Sequence, residues 1–196
     1  MLGVRPQIVL ASASPRRREL LAEAGYVFVV RPPQESAECG RREGESPAEL
    51  VARLAWQKAA DVAGRCPAGL VLGCDTVVEC CGQVLGKPQD RADARRMLEL
   101  LRGHEHRVYS GLCLWDATRG RHRVRVARTE LVMTPISGQQ LEAYLDTGDW
   151  QGKAGAFGYQ DGHDWLRILD GSESNVVGLP LELLDEMLQQ WEREAG

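Results

Sequence analysis

The chain has no apolar run approaching ~18 residues, so it offers no candidate membrane-spanning helix. Nor does it open on the basic, apolar and small-residue pattern of a secretory signal. Six cysteines are present, yet none forms a C-x-x-C pair and no histidines stand at zinc-ligand spacing. That excludes the common structural zinc modules, and a reducing cytoplasm is the simplest expectation. An excess of positive charge is also missing. Lysine and arginine number 24 against 28 aspartates and glutamates, a net charge of -4, which argues against a dedicated nucleic-acid binder. Internal repeats and low-complexity tracts are absent too.

What remains is a chain of 196 residues with 43% apolar content, enough for a sizeable core in one domain or one domain with two lobes. Its most informative stretch is Ile8–Leu21. Ile8 to Leu10 read as a buried strand, Ala11 to Ser14 as a turn, and Pro15 as the first residue of a helix with Ser14 at the N-cap. Arg16, Arg17 and Arg18 then fall in the first helical turn, where the helix dipole disfavours cations. An anion bound by free backbone N–H groups, serine hydroxyls and arginines reverses that cost.

Tyr26–Val30 reads as a second strand, and residues 31–46 as a long polar loop with two prolines, two glycines and four glutamates. Ser46-Pro47-Ala48-Glu49 is a capping box opening a helix to about Ala63, with Leu50, Val51, Leu54 and Ala55 inward and Lys58 further along. Within the stretch Gly69–Val78, Leu70–Cys74 reads as a buried strand that Asp75 is expected to close. An unpaired carboxylate is costly in a core but suited to a strand-end crevice, where it can hold Mg²⁺ or orient a water. A hairpin turn at 79–83 leads to Gly86-Lys87-Pro88, a lysine on a stiff turn. Asp90 caps a helix with Ala94, Met97, Leu98 and Leu101 on one face.

Residues 107–115 and 121–133 read as a long hairpin. Arg123 and Arg125 alternate with Val124 and Val126 there, without aromatic platforms, and are expected to form a solvated face. His104 and His106 are expected at the surface. Ser137-Gly138-Gln139-Gln140 is a second capping box. In Gly152–Gln160, small residues permit close backbone approach, Lys153 brings charge, Phe157 and Tyr159 bring aromatic faces, and Gln160 brings an amide. That combination suits a nucleotide. Leu166–Leu169 reads as a short strand, and an amphipathic helix closes the chain from about Pro180 to Arg193.

The motifs SASPRRRELL, GCDTVV, LGKP, GKAGAFGYQ and GSESNVVGLP occur in this order. Together they resemble the Maf family of nucleoside triphosphate pyrophosphatases. The resemblance implies a mixed α/β fold, an elongated curved mixed sheet flanked by helices, with a cleft between two lobes as in ITPase-like proteins, in a single domain over residues 1–196. It implies hydrolysis of a nucleoside triphosphate to the monophosphate and diphosphate, a house-cleaning of the nucleotide pool. Asp75, Glu35 and Lys87 are the implied catalytic residues. Asp75 and Glu35 are the implied ligands of Mg²⁺ or Mn²⁺, with Glu38 as the alternative to Glu35. Ser12, Ser14, Arg16, Arg17, Lys58, Thr76, Lys153, Phe157 and Gln160 are the implied substrate contacts. Arg16, Thr76 and Gln160 look like the dTTP/UTP branch. Phe157, Tyr159 and Asp161 replace the family's usual tyrosine, isoleucine and glycine. Alternatives are another or modified nucleotide such as 7-methyl-GTP, or a nucleotide-binding regulator of cell division. Neither a nucleic acid nor a membrane is expected as partner, and a homodimer is implied by the family alone.

Overall fold

The computed structural model describes residues 7–37 and 39–195; Glu38, the alternative to Glu35, lies outside them. The elements in order are β1 (Ile8–Ala11), α1 (Pro15–Glu23), β2 (Phe28–Val30), α2 (Pro47–Ala63), β3 (Leu70–Cys80), β4 (Gln83–Leu85), α3 (Arg91–Leu101), β5 (Glu105–Asp116), β6 (His122–Met133), α4 (Gly138–Thr147), β7 (Leu166–Asp170), α5 (Glu173–Val177) and α6 (Leu181–Ala195). Seven strands form one mixed sheet in the order β2-β1-β3-β5-β6-β7, with β4 beside β3. β1 runs parallel to β2 and to β3, whereas β4 and β7 are antiparallel to their partners. The mixed α/β class read from the sequence is the class observed. Among the described residues, no helix is long and apolar enough to cross a membrane.

The helix starts follow local chemistry. Ser46 and Ser137 each accept from the backbone of the residue three places on, and the Glu49 and Gln140 side chains return the bond. Asp90 accepts from the Asp93 amide at 2.8 Å and starts α3. Ser14 occupies the N-cap of α1 without a side-chain capping bond. Tyr26 and Val27 lie outside β2, which begins at Phe28.

The chain divides into two compact units. Unit 1 comprises residues 1–75, 110–127 and 178–196. Here α2 lies directly on the strands. A Cβ at Gly73 would fall 2.2 Å from the Ala55 carbonyl oxygen, and one at Gly111 2.2 Å from that of Val51. Glycine in a strand interior usually marks such a close approach. In β6, Arg123 pairs with Glu194 at 2.6 Å and Arg125 pairs with Glu186 at 2.9 Å, and just before the strand Arg121 stacks 4.1 Å over Trp191. The strand expected to be a solvated basic face is instead matched to an acidic stripe on α6.

The polar loop of residues 31–46 is also tied down. It contains one 3-10 turn, Glu35–Ala37. Arg53 of α2 grips both Glu45 carboxylate oxygens at 2.6 and 2.7 Å, and donates to the carbonyls of Cys39 and Gly40 at 3.1 and 3.0 Å. This hydrogen-bonded fork holds the Glu45 carboxyl at about 2, well below the usual carboxylate range.

Unit 2 comprises residues 76–109 and 128–177. Its core joins Val78, Cys80 and Leu85 to Met97, Leu98 and Leu101 of α3, to Leu141 and Tyr144 of α4, and to Phe157 and Trp165. His106, expected at the surface, is buried at 5% exposure, and burial lowers its pKa. Alternation along β5 places it inward with Val108.

Two outcomes follow. G111A forces α2 off β5 and should destabilise the protein by about 1–3 kcal/mol or more in urea unfolding. E45Q should cost stability at neutral pH. A carboxyl whose folded pKa is depressed stabilises fully above its unfolded pKa of about 4.3, and loses that contribution as pH falls through the folded value. The difference between wild type and E45Q in pH-dependent unfolding should therefore fade as pH falls from about 4.3 toward about 2.

Candidate active site

Asp75 does not close its strand; β3 runs on to Cys80. Its neighbour changes instead. β1 pairs with β3 only as far as Gly73, whereas the antiparallel pairing with β4 begins at Val78. Asp75 therefore stands in the stretch between the two pairings, on the same side of the strand as Gly73. That side is the one α2 covers, and Lys58 lies one turn beyond Ala55, whose carbonyl meets Gly73. The Lys58 ammonium donates to Asp75 Oδ1 at 2.5 Å, and the two residues are 8% and 9% exposed. Two buried charges are thus paired, as burial requires.

The arginine run resolves into three environments. Arg18 is exposed and Arg16 half-buried, whereas Arg17 is buried. Arg17 Nε donates to the Gly178 carbonyl at 2.8 Å, and its Nη1 donates to the Cys74 carbonyl at 2.8 Å and to Ser12 Oγ at 3.2 Å. Ser12 Oγ in turn accepts from the Ser14 amide at 3.2 Å. Arg17, expected as a triphosphate contact, thus spends these donors on tying the SASPRR turn, the strand before Asp75 and the closing motif together. Asp75 and Lys58 belong to the same unit.

Four of the expected substrate contacts and Lys87 lie in unit 2. Thr76 is half-buried, whereas Lys87 and Gln160 are exposed. Gly155 donates to the Gly86 carbonyl at 3.0 Å, so the Lys87 turn and the loop after Lys153 are joined through backbone. Gly155 and Ala156 both have positive φ, of 71° and 62°. Phe157 corrects an expectation. It offers no free aromatic face, because its ring is buried at 8% exposure against Tyr144 and Trp165, with centroids 5.0 and 5.5 Å away. A phenylalanine, having no hydroxyl to satisfy, suits that core position.

Asp161 is the residue in this loop whose role the sequence did not disclose. Its carboxylate pairs with Lys153 and accepts from the Tyr144 hydroxyl at 2.7 Å and the Gly158 amide at 3.1 Å. A Cβ at Gly158 would come within 2.5 Å of Asp161 Oδ1, so a larger residue there would displace the Asp161 carboxylate. Burial and the Asp161 carboxylate raise the Tyr144 phenol above its usual range. The one sequence sign was an acid eight residues after Lys153, the first charge after it in the loop. Asn175 of the closing motif is fully buried and donates to the Val108 carbonyl at 3.2 Å and to Thr129 Oγ1 at 2.9 Å, joining α5 to β5 and β6.

Glu35 is exposed on its 3-10 turn. Among the described residues, no group of three or more His, Cys, Asp or Glu side chains gathers where it could hold a metal ion. Mg²⁺ commonly binds through one or two carboxylates, substrate phosphates and water. A cation that arrives with a phosphorylated ligand asks the protein for no more than one or two carboxylates, which Asp75 and Glu35 could supply.

A dTTP/UTP pyrophosphatase of Rhodopirellula baltica is 53% identical over 189 residues, covering 96% of this chain and 83% of that protein. A dTTP/UTP pyrophosphatase of Symbiobacterium thermophilum is 44% identical over 188 residues, covering 94% of each. Among solved structures, a HAM1 protein from Coxiella burnetii aligns at 15% identity with a TM-score of 0.49, covering 96% of this chain and 99% of that one. The Maf-like protein family matches residues 7–191, a span that includes every motif described above, and the chain belongs to that family.

Proposed function

We propose that this protein is a nucleoside triphosphate pyrophosphatase acting on dTTP and UTP. The observation that carries the reading is the buried Lys58–Asp75 pair, 2.5 Å apart, in a chain 53% identical to a relative with that named activity. The family match spans both units, and we read them as one catalytic domain.

Asp75 is the residue that activates water. Lys58 occupies Oδ1 and fixes the carboxylate plane, which leaves Oδ2 to take the proton. The water oxygen bonds to the α-phosphorus, the bridging bond to the β-phosphate breaks, and diphosphate departs. Asp75, with Glu35 as a second carboxylate, would hold a divalent cation. Such an ion supplies charge stabilisation to the phosphoryl oxygens. Ser12, Ser14 and Arg16 orient and neutralise phosphate, and Arg17 positions the turn that carries them. Lys87 and Lys153 supply further positive charge. Thr76 and Gln160 select the base. A cytoplasmic location and a homodimer belong to the same proposal and rest on the family resemblance.

The test is product analysis with Mg²⁺ or Mn²⁺ across dTTP, UTP, CTP, GTP, ATP and 7-methyl-GTP. The expected outcome is diphosphate and monophosphate from dTTP and UTP. Release from another nucleotide overturns the substrate choice, and release from none overturns the enzyme reading. D75N should lower turnover by about 10²–10⁴-fold. The carboxamide oxygen still accepts from Lys58, so near-UV circular dichroism should be unchanged.

Asp161 yields a second outcome. Its pairing with Lys153 holds the ammonium that substrate phosphate must recruit. D161N keeps an acceptor for Tyr144 and removes the counter-charge. KM for the triphosphate should fall by about tenfold or more, since both side chains are largely buried and freeing Lys153 is worth more than the ~1 kcal/mol of an exposed pair. kcat should stay within about twofold, which steady-state kinetics on dTTP or UTP will show.

A further inference from the structure

Consecutive residues in a strand point to opposite faces, which keeps the sulfurs of adjacent cysteines apart. At the turn joining β3 to β4 this rule is broken. Cys81 has φ of 49° and Gly82 of 77°, two successive left-handed residues as a tight two-residue hairpin turn requires. A cysteine carries a steric cost at such a position. The result is that Cys81 Sγ lies 3.8 Å from Cys80 Sγ. Both thiols are free; Cys80 is buried and Cys81 exposed. Cys80 Sγ also lies 3.5 Å from the Leu100 carbonyl oxygen, so its thiol is held in place.

Two adjacent thiols have two ways to react together. A direct disulfide suits them poorly. Cα atoms across a trans peptide are about 3.8 Å apart, whereas disulfides span about 4.4–6.8 Å. A single bridging atom that bonds both sulfurs avoids that contraction. The bridge must be soft, since thiolates favour soft acceptors. A metal of higher coordination number needs further ligands, and among the described residues no three-ligand group of His, Cys, Asp or Glu is present; a two-coordinate soft cation favours its two sulfurs on opposite sides of it, which neighbouring residues suit poorly. Trivalent arsenic bearing one organic group needs only two sulfurs.

We propose that Cys80 and Cys81 form a dithiol site for organic trivalent arsenic. The exposed Cys81 thiol adds across the As=O bond, giving an S–As bond and an As–OH group. Cys80 then forms the second S–As bond, and its own proton leaves with that hydroxyl as water. The net change is R–As=O plus two thiols giving R–As(SR′)₂ plus water, with no oxidant or reductant. The second step needs no free thiolate. This matters because burial, with the neighbouring Cys81, raises the Cys80 thiol to about 12. The site is independent of the proposed pyrophosphatase chemistry.

The test treats the reduced, full-length protein with one equivalent of phenylarsine oxide. Intact mass should show one adduct, heavier than the protein by the reagent less one water, with two titratable thiols lost. A peptide containing both Cys80 and Cys81 should carry it. Excess glutathione should leave the adduct in place, and 2,3-dimercaptopropanol should remove it. C81S, altered at an exposed position, should lose the stable adduct, while C39S, lacking the other exposed cysteine, should retain it. A stable adduct on C81S, removal by glutathione, or mapping to another cysteine overturns the proposal. Mapping on wild type keeps the test decisive where a Cys80 variant fails to fold.

Discussion

The buried pairing of Lys58 with Asp75 is the constraint on which unit 1 depends. A carboxylate in the middle of a sheet strand is tolerable only with a partner, and the partner has to come from the helix that covers it. Leaving either charge alone in such surroundings costs about 3–5 kcal/mol. The contact also dictates backbone placement. A lysine reaches across at 2.5 Å because α2 rides on bare strand backbone at Gly73 and Gly111. Two glycines, two helical alanines and one ion pair therefore form a single device. The glycines let the helix in, Ala55 and Ala59 keep its underside small, and the pair exploits the proximity.

Arg17 does comparable work with hydrogen bonds. Its guanidinium reaches carbonyls at Cys74 and Gly178 together with the Ser12 hydroxyl. Segments 161 residues apart are held to one planar group. Arginine suits this because its donors are fixed in a rigid fork and its charge persists when buried. The three arginines in sequence are thus not three copies of one function. Alternation around the helix buries the middle one and leaves its neighbours at or near the surface.

The same principle, charge answered by charge or by an aromatic face, governs several other basic residues. Arg121, Arg123 and Arg125 meet Trp191, Glu194 and Glu186 on α6. Lys153 meets Asp161. A basic strand seen in isolation looks like a binding surface, and in the folded chain it is one half of an intramolecular contact. This is why net charge and local charge runs are weak guides to ligands once a helix with complementary spacing is available.

The sequence by itself determined whatever depends on near neighbours. The capping boxes at Ser46 and Ser137, the helix start after Asp90 and the hairpin turn before Gln83 are each written in a few consecutive residues, because capping and turn formation are local hydrogen-bonding choices. Motif order likewise disclosed the family and marked Asp75. Tertiary structure alone decided which distant residues meet. It paired Lys58 with Asp75, and it drew Arg17 into the interior. It placed Phe157 in a core, and set Asp161 against Lys153. Periodicity gives the face of an element but not what packs on it; that follows from how strands and helices assemble, and from the requirement that every buried charge find a partner.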